Sequence, residues 1–399
     1  MNNRTIASVV VIIILILVAV NALSNKDIPS EVIPDEEPEL SSIEEEQLEE
    51  PPESEPVPTS WRQFYMGFTP MPYNITVESV ELTYSLLENH SDIVVHHLDS
   101  GVPWIEAYEG TPYHNKVQWE IHQRVSHLTG GKVYLALTPI DQSRTEMGGH
   151  WYSEGNMPRP DEWAMKEFDD PMIIEAYMNF CYYMIDMFDP DYFAYGIEVN
   201  MLATSNPEVF EKYLIFLEQI YPQLKSKYPD LPVFLTFQTE YYYKNLETQE
   251  PAMERLLSFT DYIALSSYPL MAYPDPATIP DDHFQHLHDL ALEKPFCIAE
   301  TGFPSHNTTI EELYATIPGK PEWQTQYVEY LFNSSESMEA EFITWFVMID
   351  YDATWEYLKE MIDPIYRLWI ETGLIDENLQ PKQALNLWDE WLEKGRVED

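Results

Sequence analysis

The chain has 399 residues, of which 45% are apolar, enough to build a large core and too many for a wholly disordered chain. Its 69 Asp and Glu face 21 Lys and Arg, a formal net charge of −48 that would repel a polyphosphate backbone and excludes nucleic acid as a natural partner. Two cysteines, Cys181 and Cys297, cannot make a disulfide framework; both sit in apolar stretches and read as buried thiols. The aromatic content of 14%, with 11 Trp and 27 Tyr, reads first as core packing and surface tyrosine.

Residues 5–25 carry no charge and 6–20 are almost wholly aliphatic, about enough helix to cross a bilayer core. Arg4 precedes this segment and an acidic stretch follows, so the positive end is expected to stay in the cytoplasm and the rest to emerge outside. The Val20-Asn21-Ala22 triplet suits small-residue cleavage, leaving a signal peptide and a retained anchor both open over 1–26. Residues 27–60 hold 13 acids and seven prolines with no Lys or Arg, too little apolar surface to offset the entropy of ordering. A disordered, self-repelling tether is expected there. Past it, 56 acids against 19 bases leave residues 61–399 at a net −37, so the folded part is itself strongly acidic.

From residue 61 the texture alternates between short apolar runs and amphipathic stretches. The runs are 64–69, 92–98, 132–138, 192–198, 232–238, 261–267, 295–300 and 342–349. Between and after them, 77–88, 113–128, 172–187, 207–227, 251–259, 281–292, 322–332 and 355–371 place apolar residues at helical spacing. Eight strand-then-helix units average roughly 39 residues, above the ~30 that one βαβ unit needs. The runs are apolar on both faces, as parallel strands between a barrel interior and a helical jacket must be. No Gly-rich phosphate loop follows the first run, which continues Gly67-Phe-Thr-Pro-Met-Pro, so a closed (β/α)8 TIM barrel over 61–399 is preferred to an open doubly wound sheet. Residues 382–392 read as one more helix packed outside.

In such a barrel the active centre lies at the C-terminal strand ends. The strand-final polar residues are His96, His97, Asp99, Asp141, Glu198, Asn200, Gln238, Tyr268, Glu300, Trp345 and Asp350. Glu198 ends the fourth run in Tyr195-Gly-Ile-Glu-Val-Asn, and Glu300 ends the seventh in Cys297-Ile-Ala-Glu-Thr-Gly-Phe-Pro-Ser. Each follows an apolar strand that keeps it from water, so burial demands a partner or a task. Strands four and seven lie across the mouth from each other, and two inward glutamates there can approach to ~5 Å, the separation of a retaining glycosidase's nucleophile and acid/base.

The Glu-Thr-Gly-Phe-Pro-Ser segment at 300–305 resembles the nucleophile motif of clan A glycoside hydrolases, close to the Glu-Thr-Gly-Trp-Pro-Ser of plant β-1,3-glucanases. Residues 61 to about 373 resemble the clan's barrel, nearest the arabinogalactan endo-β-1,4-galactanases. The resemblance implies Glu300 as nucleophile, Glu198 as acid/base, Tyr268 as the tyrosine that hydrogen-bonds the nucleophile, and Trp345 as the sugar platform. It departs at Ile197, where the clan usually has an Asn that binds the sugar 2-hydroxyl. Asn200 lies outside the strand's register, so His97 or Gln238 is expected to hold that hydroxyl, or turnover is weak or absent.

His96 and His97 point to opposite faces of a strand, so a packed His96 and a substrate-binding His97 are preferred to a metal pair. The long loop 139–170 carries Asp141, Arg144, His150, Trp151 and Trp163; it could wall a sugar cleft, with Trp151 or Trp104 as platform, or pack on itself. Asn74, Asn89, Asn307 and Asn333 fit the glycosylation triplet, which implies surface exposure only. The expectation is an extracellular glycosidase, tethered to the membrane or secreted, monomeric and needing no cofactor or metal. It would act on β-linked poly- or oligosaccharide with Glu198 and Glu300 catalytic, and with His97, Asp141, Asn200, Gln238, Tyr268 and Trp345 holding the sugar. The alternatives are a surface carbohydrate-binding barrel without turnover and an envelope scaffold.

Overall fold

A computed structural model of the protein describes residues 60–128 and 130–397. The expected export helix and acidic tether lie outside the described residues. Among those described, no helix is long and apolar enough to cross a membrane.

Eight parallel strands close a barrel in sequential order: β1 (Tyr65–Phe68), β2 (Ile93–Leu98), β3 (Lys132–Leu137), β4 (Tyr192–Gly196), β5 (Val233–Gln238), β6 (Ile263–Ser267), β7 (Phe296–Thr301) and β8 (Phe342–Trp345). Each coincides with an apolar run picked out by sequence, β7 passing the end of its run by one residue, Thr301. The surrounding helices are α1 (Val77–His90), α2 (Asn115–Ser126), α3 (Pro171–Phe188), α4 (Pro207–Lys227), α5 (Leu246–Leu256), α6 (Gln285–His288), α7 (Pro321–Ser337), α8 (Asp352–Leu358) and α9 (Gln383–Leu392). Sequence signals set their ends. Thr76 accepts from Ser79 N at the start of α1, and Asp170 caps α3 just ahead of Pro171, whose missing N–H is no loss in a first turn.

Two expected helices are shorter than their periodicity suggested. The stretch 355–371 breaks into α8 and a 3-10 turn, Pro364–Trp369, because Pro364 cannot donate and Asp363 turns back to accept from Ile365 N. The stretch 281–292 keeps only α6 and a further 3-10 turn. The tail helix α9 docks Trp388 against Phe68 and Phe332, with the Trp388 indole donating to His90 O at 2.8 Å.

The strands separate two apolar layers. Ile93, Val95, Tyr134, Ala136, Ala194, Phe234, Ala264, Cys297, Ala299 and Phe342 fill the barrel interior, while the alternate residues pack against the helices. Both cysteines are free and buried, as expected. The pleat is regular except in β4, whose pairing with β5 shifts between Ala194 and Gly196, and β7, whose pairing with β6 shifts between Ile298 and Glu300. Bulges re-aim side chains, and these two strands are the ones that carry the candidate carboxylates.

β1 and β2 cross so closely at Gly67 that a Cβ there would stand 1.6 Å from Ile93 O. Relief would need backbone displacement in the middle of the barrel wall. Gly67→Ala is therefore expected to cost at least about 3 kcal/mol, read as a collapse of the urea-unfolding midpoint or as insoluble protein. Wild-type stability in that variant would disprove the close crossing.

Candidate active site

Glu198 and Glu300 both enter the barrel mouth, each through its bulge. Cys297 and Ala299 face inward, so strict alternation would send Glu300 out toward the helices; the bulge turns Glu300 inward and leaves Thr301 to bond Ser267 O and Tyr327 on the helix side. Glu198, two residues past Gly196, has φ +52, a left-handed conformation that costs a non-glycine residue about 1 kcal/mol or more. Its backbone N–H donates to Thr236 Oγ1 at 2.9 Å.

The two carboxylates are close neighbours. Ser266 pairs in register with Glu300 across β6 and β7, and the same Ser266 donates its hydroxyl to Glu198 Oε1 at 2.8 Å. The Tyr268 hydroxyl donates to Glu300 Oε1 at 2.5 Å, and His97 Nδ1 lies 3.0 Å from Glu300 Oε2. Arg144 Nε donates to Glu198 Oε2 at 3.2 Å while its Nη2 donates to Asp99 Oδ2 at 2.9 Å. Arg144 and Asp99 are each 1% exposed, and Arg144, like Glu198, has a left-handed backbone, φ +55.

These surroundings separate the two carboxyls' proton affinities. Burial pushes Glu198 up, the Arg144 guanidinium opposes it, and the Glu300 charge adds to the rise, so its carboxyl ends above the usual range. Burial also pushes Glu300 up, but the His97 contact, the Tyr268 phenol and the more distant Arg144 charge more than offset it, and Glu300 ends below the usual range. One site thus holds a readily ionised carboxyl beside a reluctant one, the pattern of divided acid and nucleophile roles.

The Glu300 motif is built by its neighbours. A Cβ on Gly302 would come 2.7 Å from Phe346 O, so the chain needs glycine to pass β8. Gln324 on α7 donates to Phe303 O at 2.9 Å, and buried Lys382 pairs with Asp350 and donates to Ser305 Oγ at 2.7 Å. Asp350 is thereby a structural ion-pair partner behind the motif.

The remaining sequence candidates divide. Tyr268 and His97 reach the site, but both rest on Glu300. His96 faces outward between Tyr84 and Phe188, where burial pushes its imidazole well down. Among the described residues no group of three or more His, Cys, Asp or Glu side chains could hold a metal.

Four expected sugar ligands are differently employed. Trp345 is 0% exposed: Phe342 faces inward, so Trp345 faces out, packing on Tyr327 and Trp388 with its indole on Thr372 O at 2.8 Å, and it offers the mouth no platform. Asn200 is 0% exposed and fully engaged, accepting from Gln238 N and donating to Gln238 O and Gln249. Gln238 caps the short helix Thr239–Lys244 through Tyr241 N and donates to Glu240. Asp141 accepts from the Ser143, Thr145 and Glu146 backbone N–H groups, closing the turn that presents Arg144.

The long loop packs on itself. Trp104 and Trp151 are buried, the former bonded to Gly149 O at 2.9 Å, and Trp163 packs edge-on against Tyr108. Sequence named Arg144 as part of this loop without a role, and it missed Ser266 and Trp369 altogether. Trp369 packs edge-on against Tyr268 with ring centroids 5.5 Å apart, and its buried indole N–H has no hydrogen-bond partner.

No protein-family model matches the chain, and no curated protein matches it in sequence. Solved structures share its fold. They include an exo-β-1,4-mannosidase, Op5Man5, from an Opitutaceae bacterium, with TM-score 0.57 and 13% identity over 83% of this chain and 60% of that one. Native xylanase 10B of Thermotoga maritima gives 0.54 and 13% over 83% and 95%. The GH53 catalytic domain of Ignisphaera aggregans gives 0.50 and 17% over 75% and 85%. The chain shares with these proteins the eight-stranded barrel expected from its alternating runs and helical stretches. At these identities what is shared is the fold.

Arg144 opposes the proton on Glu198 directly and acts on Glu300 from farther away. Arg144→Gln is expected to raise the carboxyl titration of Glu198 clearly and that of Glu300 by less, measured by carbon-13 NMR of labelled glutamate side chains. An unmoved Glu198 would show that the guanidinium does not reach it in solution.

Proposed function

We propose that the protein is a retaining glycoside hydrolase acting on β-linked poly- or oligosaccharide, with Glu300 as nucleophile and Glu198 as acid/base. The observation that carries this reading is the opposed displacement of two inward carboxyls in one mouth, Glu300 down and Glu198 up.

Glu300 attacks the anomeric carbon as the bond to the leaving oxygen breaks and Glu198 gives that oxygen its proton. Glu198, now a carboxylate, takes a proton from water, whose oxygen attacks the same carbon and expels Glu300 with net retention. The Tyr268 phenol and His97 keep the Glu300 oxygens charged and aimed. Ile197 supplies no amide for the 2-hydroxyl, and we assign that task to the Trp369 indole N–H, which is unpartnered among the described residues and whose ring packs on Glu300's tyrosine. The reaction needs no cofactor. The uncharged aliphatic segment 6–20 and the acidic stretch after it support an extracellular barrel, tethered or secreted.

A second reading, a carbohydrate-binding barrel without turnover, is favoured by one feature of the site. Arg144 and Ser266 occupy both oxygens of Glu198, so a proton on that carboxyl competes with two donors already in place. Hydrolysis of an activated aryl β-glycoside separates the readings. Glu300→Gln and Glu198→Gln should each lower kcat at least 100-fold while sugar binding persists, and the released sugar should keep the β configuration by proton NMR. A wild-type protein that binds oligosaccharide without cleaving it would establish the second reading.

The acid limb of kcat/KM should follow Glu300 and lie below the ordinary glutamate range, and the alkaline limb should follow Glu198 and lie above it. Activity is therefore expected between those limbs, lost as Glu300 protonates on the acid side and as Glu198 ionises on the alkaline side. Trp369→Phe keeps the ring and removes the donor, and is expected to raise KM with little change in the limbs. Limbs that ignore Glu198→Gln would defeat the role given to that residue.

A further inference from the structure

We propose that a cavity above the ends of β5 and β6, beside the catalytic mouth, binds the carboxylated ring of a hexuronate unit; the proposal rests on the glycosidase reading and narrows its substrate to acidic saccharide. The cavity has a volume of about 350 Å³, the size of one or two sugar rings, and its walls include Tyr241, Tyr243, Tyr273, Met271, Lys244 and Glu240.

The walls are chiefly apolar. Tyr243 is fixed by donating its hydroxyl to His283 O at 2.5 Å, and the His283 ring lies between Tyr243 and Tyr273, with centroids 5.4 and 5.7 Å away. Aromatic walls of this kind suit the C–H face of a pyranose ring. Among the described residues the Tyr241 and Tyr273 hydroxyls have no hydrogen-bond partner, which leaves them to serve a ligand's hydroxyls.

Two charges decide what ring fits. The acid in the wall, Glu240, has both oxygens engaged by the protein: it accepts from Gln238 Nε2 at 2.9 Å, Ser267 Oγ at 2.6 Å and Tyr268 N at 3.0 Å, and His283 Nε2 lies 3.2 Å from it. The base in the wall, Lys244, is the reverse. Every other described Lys and Arg has an ion pair, a hydrogen bond or an aromatic face, and Lys244 has none among the described residues. Lys244 is exposed and lines the cavity, so its ammonium is free to meet a ligand carboxylate there. Aromatic faces, hydroxyl partners and one ammonium together describe a uronate.

The cavity is tied to the catalytic centre through a single residue. Tyr268 gives its backbone N–H to Glu240 in the cavity wall and its phenol to Glu300. A uronate held here would belong to the same saccharide chain whose neighbouring linkage lies at the glutamates.

The test is calorimetric titration of the Glu300→Gln protein at low salt with methyl β-D-glucuronide, methyl β-D-glucoside and benzoate. The glucuronide should bind more tightly than the glucoside. Lys244→Met, at an exposed helix end, should weaken the glucuronide roughly fivefold and leave the glucoside unchanged. Equal affinity for the two sugars, no effect of Lys244→Met, or benzoate binding as well as the glucuronide would each overturn the proposal. These measurements involve no turnover, so a wild-type protein that cleaves neutral aryl β-glycosides but fails them loses only the uronate site. One that passes them and cleaves nothing loses only the hydrolase reading.

Discussion

Burying two carboxylates in one barrel mouth is the constraint from which the rest of the site follows. For both Glu198 and Glu300 the largest single influence on the proton is removal from water, which favours the neutral acid in each. Left alone, the pair would be two neutral acids with nothing to distinguish them. The surrounding residues break that symmetry. Tyr268 and His97 converge on Glu300, and a tyrosine whose own proton is held by burial and by the Glu300 charge is a donor that does not give way. Arg144 reaches Glu198, but half of its hydrogen-bonding fork is already committed to Asp99.

The backbone is bent to serve this arrangement. β4 and β7 break the pleat just before their glutamates, and Glu198 and Arg144, which meet side chain to side chain, both adopt left-handed backbone. Such conformations persist only where the surroundings enforce them. The Asp141 turn, with three backbone donors on its carboxylate, enforces Arg144; Gly196, packed too tightly for a Cβ against Tyr213, Val199 and Leu235, enforces the exit of β4.

This also explains what the sequence could reveal. Strands buried on both faces are apolar throughout, so eight runs separated by helical periodicity disclosed all eight strands. The Glu300 motif was legible because Gly302 and Ser305 are demanded by local packing. What could not be read was direction. Trp345 ends a strand, as a platform would, but inward Phe342 sets the count that turns it toward Tyr327 and Trp388. Glu300 escapes the same count only through a bulge that no residue type announces. Asn200 and Asp141 were the right residue types near the mouth, but short polar side chains bind nearby backbone first, and both do. Arg144 comes from a loop, where spacing carries no register, and Trp369 from the stretch 355–371 that read as one helix and is broken at Pro364.

On the double-displacement reading, the coupling between the carboxyls changes through the cycle. The Glu300 charge raises the proton affinity of Glu198, which suits a group that must first donate. Once Glu300 is esterified by the sugar that charge is gone, while Arg144 remains. Glu198 then loses an influence that raised it and keeps one that lowers it, so its proton affinity falls as its task turns from acid to base. Arg144 thus works against the first step and for the second, while burial and the Glu300 charge keep Glu198 above the usual range for the first.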